Sequence, residues 1–477
     1  MKRVRVFCIL VLFLILIQVS EVKADIILPS IFGNNMVLQQ NSNVAVWGKA
    51  APNSAIRLKT SWNNKTYSAW SGSDGSWLIK VSTPQAGGPF NLTISDGKPL
   101  VLRNVLIGEV WVCSGQSNMF MPLSGFKNQP VLGSLEFLVT SANPQIRLIT
   151  VPPKASLTPE YDFEGKWEEC NPESVNSFSA TAYFFGRMLN RVLGVPIGLI
   201  HASWGGTRIE PWMSMIGVSA FDWITTPTSE VELDKKSKDR PTVIYNAMIN
   251  PLIGFGIRGV IWYQGEANRS EPERYRELLP GLVADWRSEW GSGDFPFYYV
   301  QIAPYHYGKG LNSAYLREAQ LQASSVISNS GMVSLMDAGE EKCIHPANKK
   351  VAGDRLAYMA LSKTYNIKGF PCEGPTLKEM KVTGTEIRLT FNNAPNGLTS
   401  FGRDLKCFEI AGPDKIFYPA QALISPTGIT LSSSSVNEPV AVRYAFMDFV
   451  VGDLFNTEGL PASSFRTDTW PVDLAIK

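Results

Sequence analysis

The residues best suited to chemistry are Gly115-Gln116-Ser117-Asn118, which directly follow the apolar stretch 105–112. A hydroxyl at the end of a buried strand, beside a glycine and two amides, suits a nucleophile. The glycine lets the backbone turn sharply, and the two amides can hold an oxyanion. A serine hydroxyl is a weak nucleophile until a base takes its proton, and histidine suits that role near neutral pH. The chain has three histidines. His201 lies inside an apolar segment and is expected to be a satisfied core residue. His306 lies in the aromatic loop Pro304-Tyr305-His306-Tyr307. His345 follows a strand, precedes Pro346 and a helix, and is the expected base. A base with the ordinary histidine pKa of ~6.5 predicts activity that falls below that pH.

The other roles are distributed over further strand ends. Backbone N–H groups of Ser117 and Gly206 are expected to hold the oxyanion, with a side-chain amide from Gln264 or Asn268 as a third donor. Losing one such donor typically costs ~10²–10³ in rate. Glu266, Asp337, Glu340 and Glu341 are the carboxylates available to orient His345, with Glu266 and Asp337 taken as the catalytic acids. Gln116, Trp204, Arg208 and His306 are expected to line the substrate subsite.

Positioning these residues requires a sheet whose strands end on one side. Apolar runs at 105–112, 197–202, 257–263, 297–302 and 332–336 read as strands. Helical spacing of apolar residues covers 179–193, 272–290 and 348–364. Alternation of this kind predicts a parallel sheet covered by helices on both faces, with ligands bound at the carboxyl ends of the strands. Ser203-Trp204-Gly205-Gly206-Thr207, Gln264-Gly265-Glu266-Ala267-Asn268 and Asp337-Ala338-Gly339-Glu340-Glu341 all fall at such ends. Residues 25–104 read as a small β-sandwich whose tryptophans (47, 62, 70 and 77) are spaced as core residues. Residues 373–477 return to β composition. The charged stretch 214–243, with Glu230, Glu232, Asp234, Lys235, Lys236, Lys238, Asp239 and Arg240, reads as a surface loop. The expected units are therefore a leader at 1–24, a β-sandwich at 25–104, a catalytic α/β unit at 105–372 and a β unit at 373–477.

The leader carries Lys2, Arg3 and Arg5, then an apolar run of about 14 residues, then Val22-Lys23-Ala24 before Asp25. This is the pattern of a cleaved signal peptide, and the run is short for a bilayer span. A secreted or periplasmic location follows as the expectation. Removing the leader takes away four basic residues and one acidic one, turning a formal charge of +2 into −1. Such a chain offers no electrostatic attraction for nucleic acid or an anionic membrane. Five cysteines remain (113, 170, 343, 372 and 407). A secreted setting permits one or two disulfides, and the odd count leaves at least one thiol free. With no CxxC pair, no HExxH and no phosphate-binding glycine loop, the sequence calls for no metal and no cofactor. Ser117 is not in a GxSxG elbow, which disfavours the usual α/β-hydrolase arrangement.

Taken in order, several blocks resemble the sialate O-acetylesterase-like family of the SGNH hydrolase superfamily. They are Gly108-Glu109-Val110-Trp111 through Met119, Ser203–Thr207 with Ile209-Glu210-Pro211-Trp212, and Trp262–Asn268. His345-Pro346 with Asn348-Lys349, Gly353–Ala357, and the run Gly459–Asp468 complete the set. The resemblance implies a flavodoxin-like three-layer α/β/α core and a metal-independent serine esterase that removes acetyl groups from sugars. Ser117 would be the nucleophile and His345 the base. Such enzymes commonly carry Asp three residues before the histidine, where this chain has Lys342. Many longer relatives also insert a β-domain where this chain has only the loop 214–243, which would leave the cleft more open to polymer. The expected partner is an O-acetylated sugar or glycan. An acetylesterase acting on xylan or pectin, and a non-catalytic glycan-binding protein with a hydrolase-like core, are the alternatives.

Overall fold

The computed structural model describes residues 25–228, 233, 237–308, 310 and 312–471. The leader at 1–24 and the loop residues Glu230, Glu232, Asp234, Lys235 and Lys236 lie outside them. The central feature is a sheet in the order Ser330–Val333, Phe297–Val300, Gly259–Tyr263, Pro99–Gly115, Ile197–Ser203, Asn143–Thr150 and Glu168–Cys170. The first six of these strands run parallel, and Glu168–Cys170 pairs antiparallel at the edge.

The pleat explains why the strand sequences are apolar throughout. Trp111, Cys113, Leu199, Ile261, Tyr263 and Tyr298 enter one core, with helices Ala180–Leu193 and Lys349–Lys363. Their neighbours Val110, Val112, Ile200, Trp262, Phe297 and Tyr299 enter the other, with Pro272–Trp290 and Leu316 of Ala314–Ala323. A sheet buried on both faces has no position to spare for a polar alternation.

The chain leaves Pro99–Gly115 for strands on one side of it, then crosses to the other side. That strand is the point where the winding reverses, and open α/β sheets bind ligands in the crevice at such a point. The register sharpens this. Gly115 is level with Ser203 on one neighbour and with Tyr263 on the other. Three strands therefore end together, and the segments beginning at Gln116, Trp204 and Gln264 emerge side by side.

Pro99–Gly115 is 17 residues long, and its first half pairs antiparallel with Gly87–Ser95. The expected division at 104/105 lies inside this strand, and Val44, Ile56 and Val81 share one apolar core with Trp262 and Trp286. Among the tryptophans read as core, Trp77 is buried at 3% exposure but Trp70 is 73% exposed. Trp70 lies on strand Thr66–Trp70, which pairs with Ala55–Thr60. Beyond residue 375, two antiparallel four-stranded sheets share a separate core that includes Leu389, Phe408 and Leu431. Arg466 to Glu318 (2.9 Å) and Gln301 to Ser463 (2.7 Å) bind this part to the central unit.

Two elements of the central unit are among those that escaped the sequence reading. Asn143–Thr150 opens on Asn-Pro and carries Arg147, a buried guanidinium paired with Glu169 at 3.2 Å. Ala314–Ala323 has Arg317 and Gln320 fully buried among its apolar positions. The five cysteines are all unpaired, so the disulfides a secreted setting would permit do not form among the described residues. No described helix is long and apolar enough to cross a membrane.

Candidate active site

The turn that carries Ser117 is built on Gly115. Its φ is +138°, and a Cβ there would lie 2.2 Å from the carbonyl oxygen of Tyr263. Only glycine lets the two strand ends approach so closely. The contact is then locked by Gln116 N–H, which donates to Tyr263 O at 2.9 Å. The chain turns at once into the short helix Ser117–Phe120, so the Ser117 N–H has no acceptor within the helix. Ser117 is half-buried, while Gln116, Asn118 and Met119 around it are buried.

The second strand end packs directly on the serine. A Cβ built on Gly205 would sit 3.5 Å from the Ser117 Cβ. Gly206 follows in the left-handed region at φ +70°, and among the described residues no acceptor takes its N–H. Trp204, half-buried, donates its N–H to Gly115 O at 3.0 Å. Lys238 Nζ donates to Gly205 O at 2.7 Å. The charged stretch read as a surface loop therefore reaches the site, with Ser237 buried beside it.

Asn118 joins the serine turn to the histidine loop. Its Nδ2 donates to Glu266 Oε1 at 2.6 Å and to Ile344 O at 3.1 Å, and its Oδ1 accepts from Lys349 Nζ. One buried amide thus contacts the third strand end, the residue before His345 and the helix after it. Burial raises the Glu266 pKa, and Glu266 Oε2 has no hydrogen-bond partner among the described residues. Burial lowers the Lys349 pKa to about 7, against the opposing pull of Glu266. Glu266 accordingly belongs to the support of the turn, and it makes no hydrogen bond to His345.

His345 is half-buried on the loop after Ser330–Val333. Its Nδ1 lies 2.7 Å from Gln129 Oε1, and its ring meets Phe126 edge to face at 5.2 Å. Burial, and secondarily the charge of Lys349, pull its pKa down to about 4, well below the ~6.5 expected of a free imidazole. Ser117 and His345 form no direct hydrogen bond. Catalytic hydrogen bonds are often long in the free enzyme and tighten around substrate.

Several expected roles are corrected. Asp337 is not the acid behind His345, because Arg355 holds both its oxygens at 2.7 Å. Glu340 accepts from Ala347 N–H at 2.6 Å and so shapes the loop, whereas Glu341 is exposed. Gln264 cannot serve as an oxyanion donor. It is fully buried, and its amide protons go to Thr207 O (3.1 Å) and Asn268 Oδ1 (2.8 Å). Asn268 is equally buried, donating to Glu210 Oε2 at 3.1 Å and accepting from Ile209 N–H at 2.9 Å. These two amides brace the 204–210 turn from behind. Arg208 pairs with Glu210 (2.7 Å) and with Glu271, so its charge is largely spent within the protein. Gln116 Oε1 accepts from Gly265 N–H and Ala267 N–H, both at 3.3 Å. His306 is exposed, with its N–H on Glu341 O at 3.2 Å, which sets it beside the loop that carries His345. His201 is buried with Nε2 2.5 Å from Ser203 Oγ, but its Nδ1 has no partner among the described residues, so it is only half satisfied there. Burial lowers its pKa to about 4, which keeps it neutral.

Among the described residues, no group of three or more His, Cys, Asp or Glu is arranged to hold a metal ion. The remaining features are a serine at a helix start, two glycine-shaped strand ends and a neutral imidazole on a loop tied to the same turn. They can support attack by a hydroxyl on a carbonyl carbon.

A family model described as "Carbohydrate esterase, sialic acid-specific acetylesterase" matches residues 107–362. The chain is similar to the sialate O-acetylesterase of Homo sapiens, at 28% identity over 475 residues covering 87% of each chain. It is 26% identical to that of Mus musculus over 486 residues, covering 87% of this chain and 88% of the relative. Among solved structures, it is similar to a carbohydrate acetylesterase from Xanthomonas citri. The TM-score is 0.86 at 34% identity, covering 93% of this chain and all of the other.

Proposed function

The chain belongs to the sialic acid-specific acetylesterase family of carbohydrate esterases and is a carboxylic ester hydrolase; we propose that it removes acetyl groups from O-acetylated sugars through an acyl-enzyme on Ser117. The observation that carries this reading is the placement of Ser117 at the sheet's reversal point, against Gly205 and tied through Asn118 to the loop of His345. In the first step Ser117 Oγ bonds to the acetyl carbon while its proton passes to His345 Nε2. The carbonyl electrons move onto oxygen, which the N–H groups of Ser117 and Gly206 receive. The carbonyl then re-forms as the bond from the acetyl carbon to the sugar oxygen breaks, and that oxygen takes the proton from His345, leaving acetyl-Ser117. Water then repeats the sequence, releasing acetate and free Ser117.

We read the central part of the chain as an SGNH-type three-layer core, continuous through strand Pro99–Gly115 with the β strands before it and followed by the β strands beyond residue 375. The basic and apolar leader at 1–24 supports export to a secreted or periplasmic location. Trp204 and His306 at the rim suit contact with the sugar, whose ring would stack on the indole.

The test is acetate release by Ser117→Ala and His345→Ala from an aryl acetate and from 9-O-acetyl sialic acid, acetylated xylan and acetylated pectin. Both variants should lose at least ~10³ of the rate while keeping the wild-type melting temperature. Substantial turnover by Ser117→Ala would end the proposal, and the substrate panel identifies the glycan. Glycan binding without turnover by the unmodified chain would favour the non-catalytic alternative.

A further inference from the structure

The sequence places Lys342 where an aspartate would stand behind the catalytic histidine, and the structure puts a different group there. Gln129 Oε1 is 2.7 Å from His345 Nδ1, across a sequence separation of 216 residues. The contact comes from a constructed turn. Phe126 and Gln129 exchange backbone hydrogen bonds at 2.9 Å each, with Asn128 between them at φ +62°. Gly125 before them has φ +82°, and a Cβ there would fall 2.4 Å from Gln129 O. The turn delivers the Phe126 ring edge to the imidazole and the Gln129 amide to its Nδ1. Leu132 N–H then donates to Ala347 O at 2.9 Å, fastening the same segment to the histidine loop. Three contacts from residues 126–132 thus fix the imidazole and the backbone beside it.

We propose that Gln129 is the positioning residue for His345, replacing the carboxylate of a Ser-His-acid triad with a neutral amide. The inference rests on the Ser117–His345 reading above. The amide oxygen can only accept, so Nδ1 carries the proton and the Nε2 lone pair is free for the Ser117 hydroxyl. That proton stays on Nδ1 throughout, and only the Nε2 proton moves between serine, sugar and water. A carboxylate would do the same and would also stabilise the imidazolium, whereas the amide supplies orientation with little charge. The charged and titratable groups around His345 reinforce the difference. Lys349 adds positive charge, Cys343 Sγ lies 3.2 Å from His345 O, and Glu340 is engaged with Ala347 N–H. None of these sets a carboxylate against the imidazole. The enzyme would therefore keep its base neutral well into acid, at the cost of weaker stabilisation of the charged intermediate.

The experiment compares Gln129→Ala, Gln129→Glu, His345→Ala and the unmodified chain by kcat and kcat/KM across pH 3–9 with an aryl acetate. The imidazole is followed by NMR titration of labelled histidine. Gln129→Ala should lower kcat about tenfold, the worth of one neutral hydrogen bond, with KM little changed. Gln129→Glu keeps the shape and should move the acid limb and the His345 titration upward by about 1–2 pH units. Wild-type kcat in Gln129→Ala together with an unmoved acid limb in Gln129→Glu would overturn the role of Gln129 while leaving Ser117 and His345 in place. Full activity in His345→Ala would instead remove the base itself, and both readings with it.

Discussion

Replacing Gly115 by alanine tests whether the close approach of two strand ends builds the site. The perturbation is one methyl group at φ +138°, set 2.2 Å from Tyr263 O and 2.7 Å from its carbonyl carbon. A backbone conformation reserved for glycine costs about 1–3 kcal/mol in any other residue. Overpacking against backbone, which cannot rotate away, adds about 1–3 kcal/mol. The sum is about 2–6 kcal/mol, a large share of an ordinary domain's stability. Restoring an ordinary contact requires movement of about 1 Å. That movement would stretch the Gln116 N–Tyr263 O hydrogen bond and shift Ser117, which begins the next helix. A displacement of that size at a reacting group can cost ~10² in rate. The assay pairs chemical denaturation followed by tryptophan fluorescence with acetate release from an aryl acetate. Gly291→Ala is the control. That glycine caps Pro272–Trp290 at φ +59° with open space around it, so its substitution should cost only about 1–2 kcal/mol and leave the rate alone. A Gly115→Ala variant as stable and as fast as this control would refute the reasoning.

Four further outcomes are expected. Asp337→Ala should leave kcat within about threefold while lowering stability by about 2 kcal/mol, because it strands the nearly buried Arg355; the figure is discounted for the partial exposure of Asp337. A ~10³ loss of kcat in that variant, with the fold intact, would restore Asp337 as the catalytic acid. The rate should hold from neutrality down to about pH 5 and fall near pH 4, since burial and then Lys349 keep His345 neutral to about 4. A half-maximal rate at the ordinary ~6.5 would contradict that environment. The same depression makes the unfolded chain the better proton acceptor, so the His345 contribution to stability should decline between about pH 6.5 and 4. Lys238→Ala should slow acetate release by about threefold to tenfold by freeing Gly205 O, and an unchanged kcat would show that the loop around 238 does not support the serine.

Much of the fold was legible because its signals are local. Buried parallel strands must be apolar on both faces, and the runs at 197–202 and 257–263 have no other use. Helices Ala180–Leu193, Pro272–Trp290 and Lys349–Lys363 fall within a few residues of their sequence reading because 3.6-residue spacing marks them. Strand Asn143–Thr150 and helix Ala314–Ala323 hid for the opposite reason. Arg147, Arg317 and Gln320 are buried where a pattern reader expects solvent, and tertiary hydrogen bonds make that burial tolerable.

By itself the sequence determined the serine turn, the histidine on a loop beyond the last strand, and the sheet that brings their chain segments to one edge. Residue type and short-range spacing suffice for those. Which polar group meets which was decided only in three dimensions. Asp337 went to Arg355, Gln264 and Asn268 turned inward to brace a loop, and Asn118 became the link between the turn of Ser117 and the loop of His345. A carboxylate or an amide advertises its capacity to hydrogen-bond but not its partner, since the choice is made by packing between residues hundreds of positions apart. Gln129 is the clearest case. In Lys127-Asn128-Gln129-Pro130 it reads as one more polar loop residue, and only the fold sets it against His345.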